Sequence, residues 1–192
     1  MDFFSAIDRH AQKALGETAT RFKAYIRHRS GGHHLEGYGH KLAAKNLILE
    51  QTLSSKLFGR IYTCNWRWQV PVDLGEQDMH LHLRYLGWRM ASRKPAFVGR
   101  CPVTLLEVLN SNEVLRGLCA AMDLGGITID YRVPDKHYEV TLRPNYGDFV
   151  WLLIPPMKYV RQPSVAEVGS TVLLIHELSL VLKRWAGSQA QT

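Results

Sequence analysis

Alternating apolar and polar positions predict two β-strands in the first hundred residues. Every second residue is apolar or aromatic from Ile61 to Val70, and the same alternation returns from Met79 to Leu86. Because successive side chains of a strand point to opposite faces, each segment predicts a strand that is buried on one face. Trp66 and Trp68 fall on the apolar face and are expected in the core. The polar positions of the two segments are Thr63, Asn65, Arg67, Gln69, His80, His82 and Arg84.

A turn-rich stretch, Pro71 to Asp78, separates these two strands and predicts an antiparallel hairpin between them. With Val70 opposite Met79, the two apolar faces coincide, as a stable register requires. The cross-strand polar pairs in that register are Gln69 with His80, Arg67 with His82, and Asn65 with Arg84. This hairpin predicts one polar face that carries arginine and histidine side chains.

Apolar residues at helical spacing predict a first helix from Asp2 to about His28, which Ser30-Gly31-Gly32 would end. The side chains opposite its apolar stripe are basic, and we expect them to face solvent. These residues are Arg9, Lys13, Lys23 and Arg27. The state of residues 46–53 is left open, because their pattern suits a strand and a helical turn equally. Residues 87–101 are expected to form a connection.

In the second half of the chain, the pattern predicts a helix, then strands, then a final helix. A capping box, Thr104 with Glu107, predicts a helix that breaks near Asn110-Ser111-Asn112. A hairpin of Ile127–Val133 with Tyr138–Arg143 should follow, with Arg132 opposite Glu139. The elements expected after it are a strand at Phe149–Ile154, covered on both faces because it is continuously apolar, and a helix from the capping box Ser164 and Glu167 to Trp185.

These elements predict an α+β fold with a mostly antiparallel sheet and helices on one face. We expect a single domain over residues 1–187, built of two loosely similar halves at about 1–100 and 101–187, with a disordered tail at 188–192. No segment is predicted to span a membrane, because the most apolar one, Val172–Leu182, is shorter than the roughly 20 residues that a transmembrane helix needs.

Charge is unevenly distributed along the chain. Residues 1–100 contain 16 Lys and Arg against 8 Asp and Glu, while residues 101–192 contain 8 against 9. The first half therefore carries a net charge of +8 and the second −1, which together give the overall +7. An excess of this kind favours anionic partners but says nothing about chemistry.

Three cysteines, Cys64, Cys101 and Cys119, share no metal-ligand spacing, and the N-terminus shows no secretory signal. We therefore expect reduced, buried cysteines in a cytoplasmic protein, with no cofactor indicated. Five histidines are weak candidates for a metal site, because imidazoles two residues apart on a strand point the same way. They are His33, His34, His40, His80 and His82.

The chain lacks the motifs of nucleophilic hydrolases, phosphate-binding loops and metalloproteases. Whether it is an enzyme stays open, with the balance against catalysis. We expect a non-catalytic binding or adaptor module that recognises an acidic partner protein; the alternatives are a nucleic-acid binder and a metal- or ligand-dependent enzyme using the histidines. Oligomeric state is open, a dimer included. The predicted binding residues are Arg67, Gln69, His80, His82, Arg84, Arg9, Lys13, Lys23 and Arg27.

Overall fold

The computed structural model describes residues 3–23, 26–28, 34–37, 43–74, 77–87, 94–122 and 124–189, with the backbone alone at residues 3, 26–28, 34–37 and 56. Its helices are α1 (Phe3–Arg21), α2 (Val103–Ser111), α3 (Glu113–Ala121) and α4 (Val165–Gln189). Its strands are β1 (Ile26–His28), β2 (His34–Gly37), β3 (Lys45–Lys56), β4 (Gly59–Pro71), β5 (Met79–Leu86), β6 (Lys94–Arg100), β7 (Leu124–Arg132), β8 (His137–Pro144), β9 (Phe149–Leu152) and β10 (Met157–Val160).

All described strands belong to one antiparallel sheet, in the order β1-β2-β3-β4-β8-β7-β5-β6. The long strand β4 has two partners on one side: its second half pairs with β8, and its first half pairs with β9, which in turn pairs with β10. The predicted α+β class with a mostly antiparallel sheet is confirmed. Strands from the two halves of the chain interleave, because β7 and β8 lie between β4 and β5.

The four helices pack on one face of this sheet. In β4 the residues from Tyr62 to Val70 that face the helices are at most 7% exposed, and the alternate residues are half-buried. Trp66 donates a hydrogen bond from Nε1 to the Tyr146 hydroxyl at 3.0 Å, and Trp68 donates one to Ser179 Oγ of α4 at 2.9 Å. The expected burial of both tryptophans is therefore confirmed.

The first helix is shorter than the periodicity predicted. It ends at Arg21, and Ile26–His28 pairs with β2 as strand β1. Ile26 continues the helical stripe, but its branched side chain suits a strand, and backbone pairing with β2 decides the outcome. The proposed terminator at residues 30–32 and Asp2, the expected first residue of the helix, lie outside the described residues.

Besides β1 and β2, three strands were not identified from the pattern. Residues 46–53 belong to β3, the expected connection 87–101 contains β6, and β10 follows Pro155-Pro156. The outer edge of β6 is closed by a side chain: Asn110 accepts from the Phe97 amide at 2.7 Å and donates to its carbonyl at 2.9 Å. A side-chain amide in this position blocks further strand addition.

The helical boundaries of the second half are mostly as predicted. Asn112 separates α2 from α3 and caps α3 by accepting from the Leu115 amide at 2.9 Å. The capping box of α4 is present, with Ser164 and Glu167 bonded reciprocally at 2.8 and 3.2 Å. The predicted box at Thr104 is wrong, since Pro102 is the N-cap of α2 and makes no side-chain cap.

Helix α4 is longer than expected and continues through Ser188 and Gln189, two residues of the predicted tail. By length and composition alone it would suffice to cross a membrane, contrary to the sequence-based expectation. Its buried side chains, such as Leu174, Leu178 and Leu182, pack within the main hydrophobic core. Core helices of globular proteins meet the same criterion, so we treat α4 as one of them.

Candidate binding surface

The sheet face turned away from the helices is the main polar surface of the fold, and no described helix packs on it. We call it the open face. It consists of alternate residues of five neighbouring strands, placed by the registers of β4, β8, β7, β5 and β6. Its charged residues and histidines are Arg67, His80, His82, Arg84, Lys94, Arg100, Asp130, Arg132, His137, Glu139 and Arg143.

The predicted hairpin between β4 and β5 is wrong, because β7 and β8 separate these two strands. Arg67 lies opposite Thr141 of β8 and Ile48 of β3, and His82 lies opposite Thr128 and Val98. The alternation correctly placed Arg67 and His82 on one face and in one cross-strand row. It could not show that two strands, at about 4.8 Å spacing, would be inserted between them.

The centre of the open face is electrically compensated. The Arg67 guanidinium lies between two carboxylates, 3.4 Å from Glu50 and 3.7 Å from Glu139. His80 Nδ1 lies 2.6 Å from a carboxylate oxygen of Asp130. Gln69 accepts a hydrogen bond from Asn46 at 2.6 Å. Arg67, Gln69 and His80 are therefore engaged with neighbours within the protein.

The strands β5 and β6 carry three cations that no described carboxylate compensates. Arg84, Lys94 and Arg100 are exposed, and none of them forms an ion pair with a carboxylate of the described residues. Arg100 donates a hydrogen bond to the Asp78 carbonyl, at 3.5 Å. We call these three residues the cationic edge. Lys94 and Arg100 were not among the predicted binding residues, because residues 87–101 were expected to be a connection.

His82 lies between the compensated centre and the cationic edge. Its ring centroid is 5.9 Å from that of His80, and its Nδ1 is shielded from solvent without a hydrogen-bond partner among the described residues. Within the described part of the chain, no three His, Cys, Asp or Glu side chains are arranged to hold a metal ion. His33 and His40 lie outside that part, and only the backbone of His34 is described, so the five-histidine hypothesis stays a prediction.

The basic residues of α1 do not join this surface. Ile7, Ala11 and Ala14 pack against Tyr62 and Phe149 on the helix side of the sheet. The exposed side chains of α1 that point outward from this contact are consequently separated from the open face by the sheet itself. The predicted binding residues concerned are Arg9 and Lys13 of α1, and Lys23 follows the end of this helix, whereas the side chain of Arg27 lies outside the described residues. The predicted binding residues therefore do not form one patch: those of α1 lie on the helix side of the sheet, and those of β4 and β5 lie on the open face.

A polar cluster that the sequence did not indicate joins α1 to the sheet. Asp8 accepts hydrogen bonds from the Tyr62 hydroxyl and the Arg60 guanidinium, and these bonds lower the pKa of the Asp8 carboxyl. Arg60 also lies over the Phe4 ring, 4.2 Å from its centroid. Asp8 is 52 residues from Arg60 along the chain, so no local motif could have revealed this contact. We interpret the cluster as structural, because it fixes α1 on the sheet.

Burial makes the cysteine thiols poor nucleophiles. It raises the pKa of Cys119 to about 12 and raises that of Cys64 further still. The pKa of Cys101 is also raised by burial, and all three cysteines are free. A reactive cysteine needs the opposite, a thiolate favoured near neutral pH.

The remaining test of identity is comparison with known proteins. A family model, described as "Protein of unknown function (DUF3156)", matches residues 11–182. The chain belongs to the DUF3156 family. The match spans every described strand, the cationic edge included, and the DUF3156 family model ends within α4 at residue 182. No curated protein and no solved structure matched this DUF3156 chain.

Proposed function

We propose that this protein is a non-catalytic binding protein whose open face binds an acidic partner protein. The observation that carries the proposal is a broad sheet face without a described helix on it and with an excess of positive charge. Over β4, β8, β7, β5 and β6, that face presents six Lys and Arg against two Asp and Glu. They are Arg67, Arg84, Lys94, Arg100, Arg132 and Arg143, against Asp130 and Glu139.

The cationic edge is the part of this face that we expect to contact the partner's carboxylates. Two ion pairs hold Arg67 in place and a hydrogen bond with Asp130 holds His80, whereas Arg84, Lys94 and Arg100 have no described carboxylate to release before binding. Exposed charges of this kind raise association rates and select partners of opposite charge. Free cysteines, of which Cys64 and Cys119 are buried, favour a reducing compartment, and we expect the protein in the cytoplasm.

Charge reversal on the two sides of the sheet tests the proposal. The Arg84→Glu, Arg100→Glu variant changes the cationic edge, and the Arg9→Glu, Lys23→Glu variant makes the same change of net charge on the helix side. Retention on immobilised polyglutamate, eluted with salt, is the measurement. We expect the first variant to bind about tenfold more weakly and the second to bind nearly as wild type, because close charges act within about one Debye length.

Two outcomes would overturn this proposal. Equal losses in the two variants would show that net charge alone drives retention. Tight binding of a duplex or single-stranded oligonucleotide, together with no retention on polyglutamate, would favour the nucleic-acid alternative, whose affinity must fall steeply with salt.

A further inference from the structure

Two adjacent turns at the β9–β10 end of the sheet present large apolar side chains to solvent. One turn joins β3 to β4 and the other joins β9 to β10, and they are linked by a hydrogen bond from the Leu153 amide to the Phe58 carbonyl at 2.7 Å. We call Leu57, Phe58, Leu153 and Ile154 the apolar tips. They lie side by side because Gly59 pairs with Leu152.

The exposure of these side chains is unusually high for a contiguous group. Leu57 is 89% exposed, Ile154 64%, Leu153 52% and Phe58 49%. Isolated exposed leucines are ordinary, whereas contiguous exposed apolar side chains usually mark a binding surface. Met157 and Tyr159 of β10, 45% and 48% exposed, extend the same surface along the open face.

The two chain segments that carry the apolar tips contain basic residues but no acidic ones. The segments 51–62 and 149–166 contain Lys56, Arg60, Lys158 and Arg161 and no Asp or Glu. Arg60 is paired with Asp8 and Arg161 with Glu167, while Lys158 is exposed and has no ion pair with a described residue. Lys158, an exposed cation close to the tips in the chain, suits an anionic partner surface.

The shape of this region favours a bilayer over a protein groove. The apolar side chains stand at the ends of two hairpins, where most of the Leu57 side chain touches no other part of the protein, so they project outward as a convex pair of turns. Tyr159 and the half-buried Trp151 lie just behind them, and such aromatic side chains are favoured at membrane–water interfaces.

We propose that the apolar tips insert into the interface of an anionic lipid bilayer, with Lys158 at the level of the headgroups. This binding would be peripheral and reversible, since only a few side chains enter the lipid. It goes beyond the proposed partner binding. β10 lies on the same side of β4 as β6, but β9 pairs with the first half of β4 and β8 with its second half, so the apolar tips are displaced along the strands from the cationic edge. The two surfaces could therefore be occupied together.

Co-flotation of the full chain with vesicles tests the proposal. The vesicles contain equal parts of phosphatidylcholine and phosphatidylserine, and vesicles of phosphatidylcholine alone form the second arm. We expect wild-type protein to float with the anionic vesicles and at least about tenfold less of it with the neutral ones, because the positive charge contributes to binding. The Leu57→Gln, Ile154→Gln variant should lose at least about tenfold in affinity for anionic vesicles, because two aliphatic side chains no longer leave water.

A matched control distinguishes insertion of the apolar tips from nonspecific hydrophobic adsorption to the vesicles. Val103 and Val114 are 68% and 59% exposed in α2 and α3, at the β6 end of the molecule. The Val103→Gln, Val114→Gln variant should float as wild type. All four substitutions replace exposed side chains, and circular dichroism would verify that each variant is folded.

Three results would overturn the proposal. The first is a wild-type protein that does not float with anionic vesicles. The second is an equal loss in the two variants. The third is a wild-type dimer in light scattering that the Leu57→Gln, Ile154→Gln variant converts to a monomer without any effect on flotation, which would assign the apolar tips to self-association. Retention on polyglutamate should be unchanged in this variant, so failure of one proposal leaves the other testable.

Discussion

The two faces of β4 serve different purposes although their residues alternate along one strand. On the helix side, Cys64, Trp66, Trp68 and Val70 are fully buried. On the open side, the residues between them are half-buried and polar, and Arg67 is held by carboxylates from both neighbouring strands. The difference indicates that one face supplies most of the folding free energy, while the other can vary in charge and serve recognition at little cost in stability.

Truncating a side chain on the buried face should have the largest effect on the free energy of unfolding. We expect Trp68→Ala to lower the free energy of unfolding by about 3–5 kcal/mol, since it removes a large aromatic group and leaves a cavity beside α4. Urea denaturation followed by circular dichroism measures the change. A loss below about 1 kcal/mol would show that the core tolerates or refills the space, and the contrast between the faces would fail.

Alternation revealed the two faces from the sequence, because a period of two is a local property of a strand. It held for β4 and β5, and it placed Arg67, His80 and His82 on one face. The partner of each strand is not a local property. The β7–β8 hairpin, about sixty residues downstream of β4, is inserted between β4 and β5, so the pairing of Arg67 with Glu139 could not be inferred from the sequence. The pairing of Arg67 with Glu50 was missed because the state of residues 46–53 was left open.

At the apolar tips, the sequence pattern predicts burial for residues that are exposed in the structure. The run from Phe149 to Ile154 predicts a strand covered on both faces, because continuous apolar residues usually mark a central position. In the structure β9 is covered on the helix side by α1, and Leu153 and Ile154 are exposed at a turn. Residues 149–154 are continuously apolar, which usually indicates burial, but the end of this run forms an exposed apolar surface. Only the position of β10 at the edge of the sheet distinguishes an exposed run from a buried one.

A smaller change tests whether polar contacts on the buried face matter separately from packing. Ser179→Ala removes the oxygen that accepts the Trp68 Nε1 hydrogen bond and should cost about 1–3 kcal/mol, because a buried donor is left unsatisfied. The free energies of unfolding of Ser179→Ala, Trp68→Phe and the variant with both substitutions would be measured by urea denaturation and compared. We expect the double variant to lose less than the sum of the single changes. Strict additivity would mean that the hydrogen bond contributes nothing of its own.

The smallest stability effect should come from the open face. Arg67→Ala removes two partly exposed ion pairs, whose side chains are 35–48% exposed, so we expect a loss of at most about 1 kcal/mol that shrinks as salt is added. The same substitution leaves Glu50 and Glu139 without their cation and should weaken retention on polyglutamate, because the centre of the face becomes acidic. A loss in stability of more than about 2 kcal/mol, with retention unchanged, would place Arg67 among the structural residues and remove the distinction between the two faces.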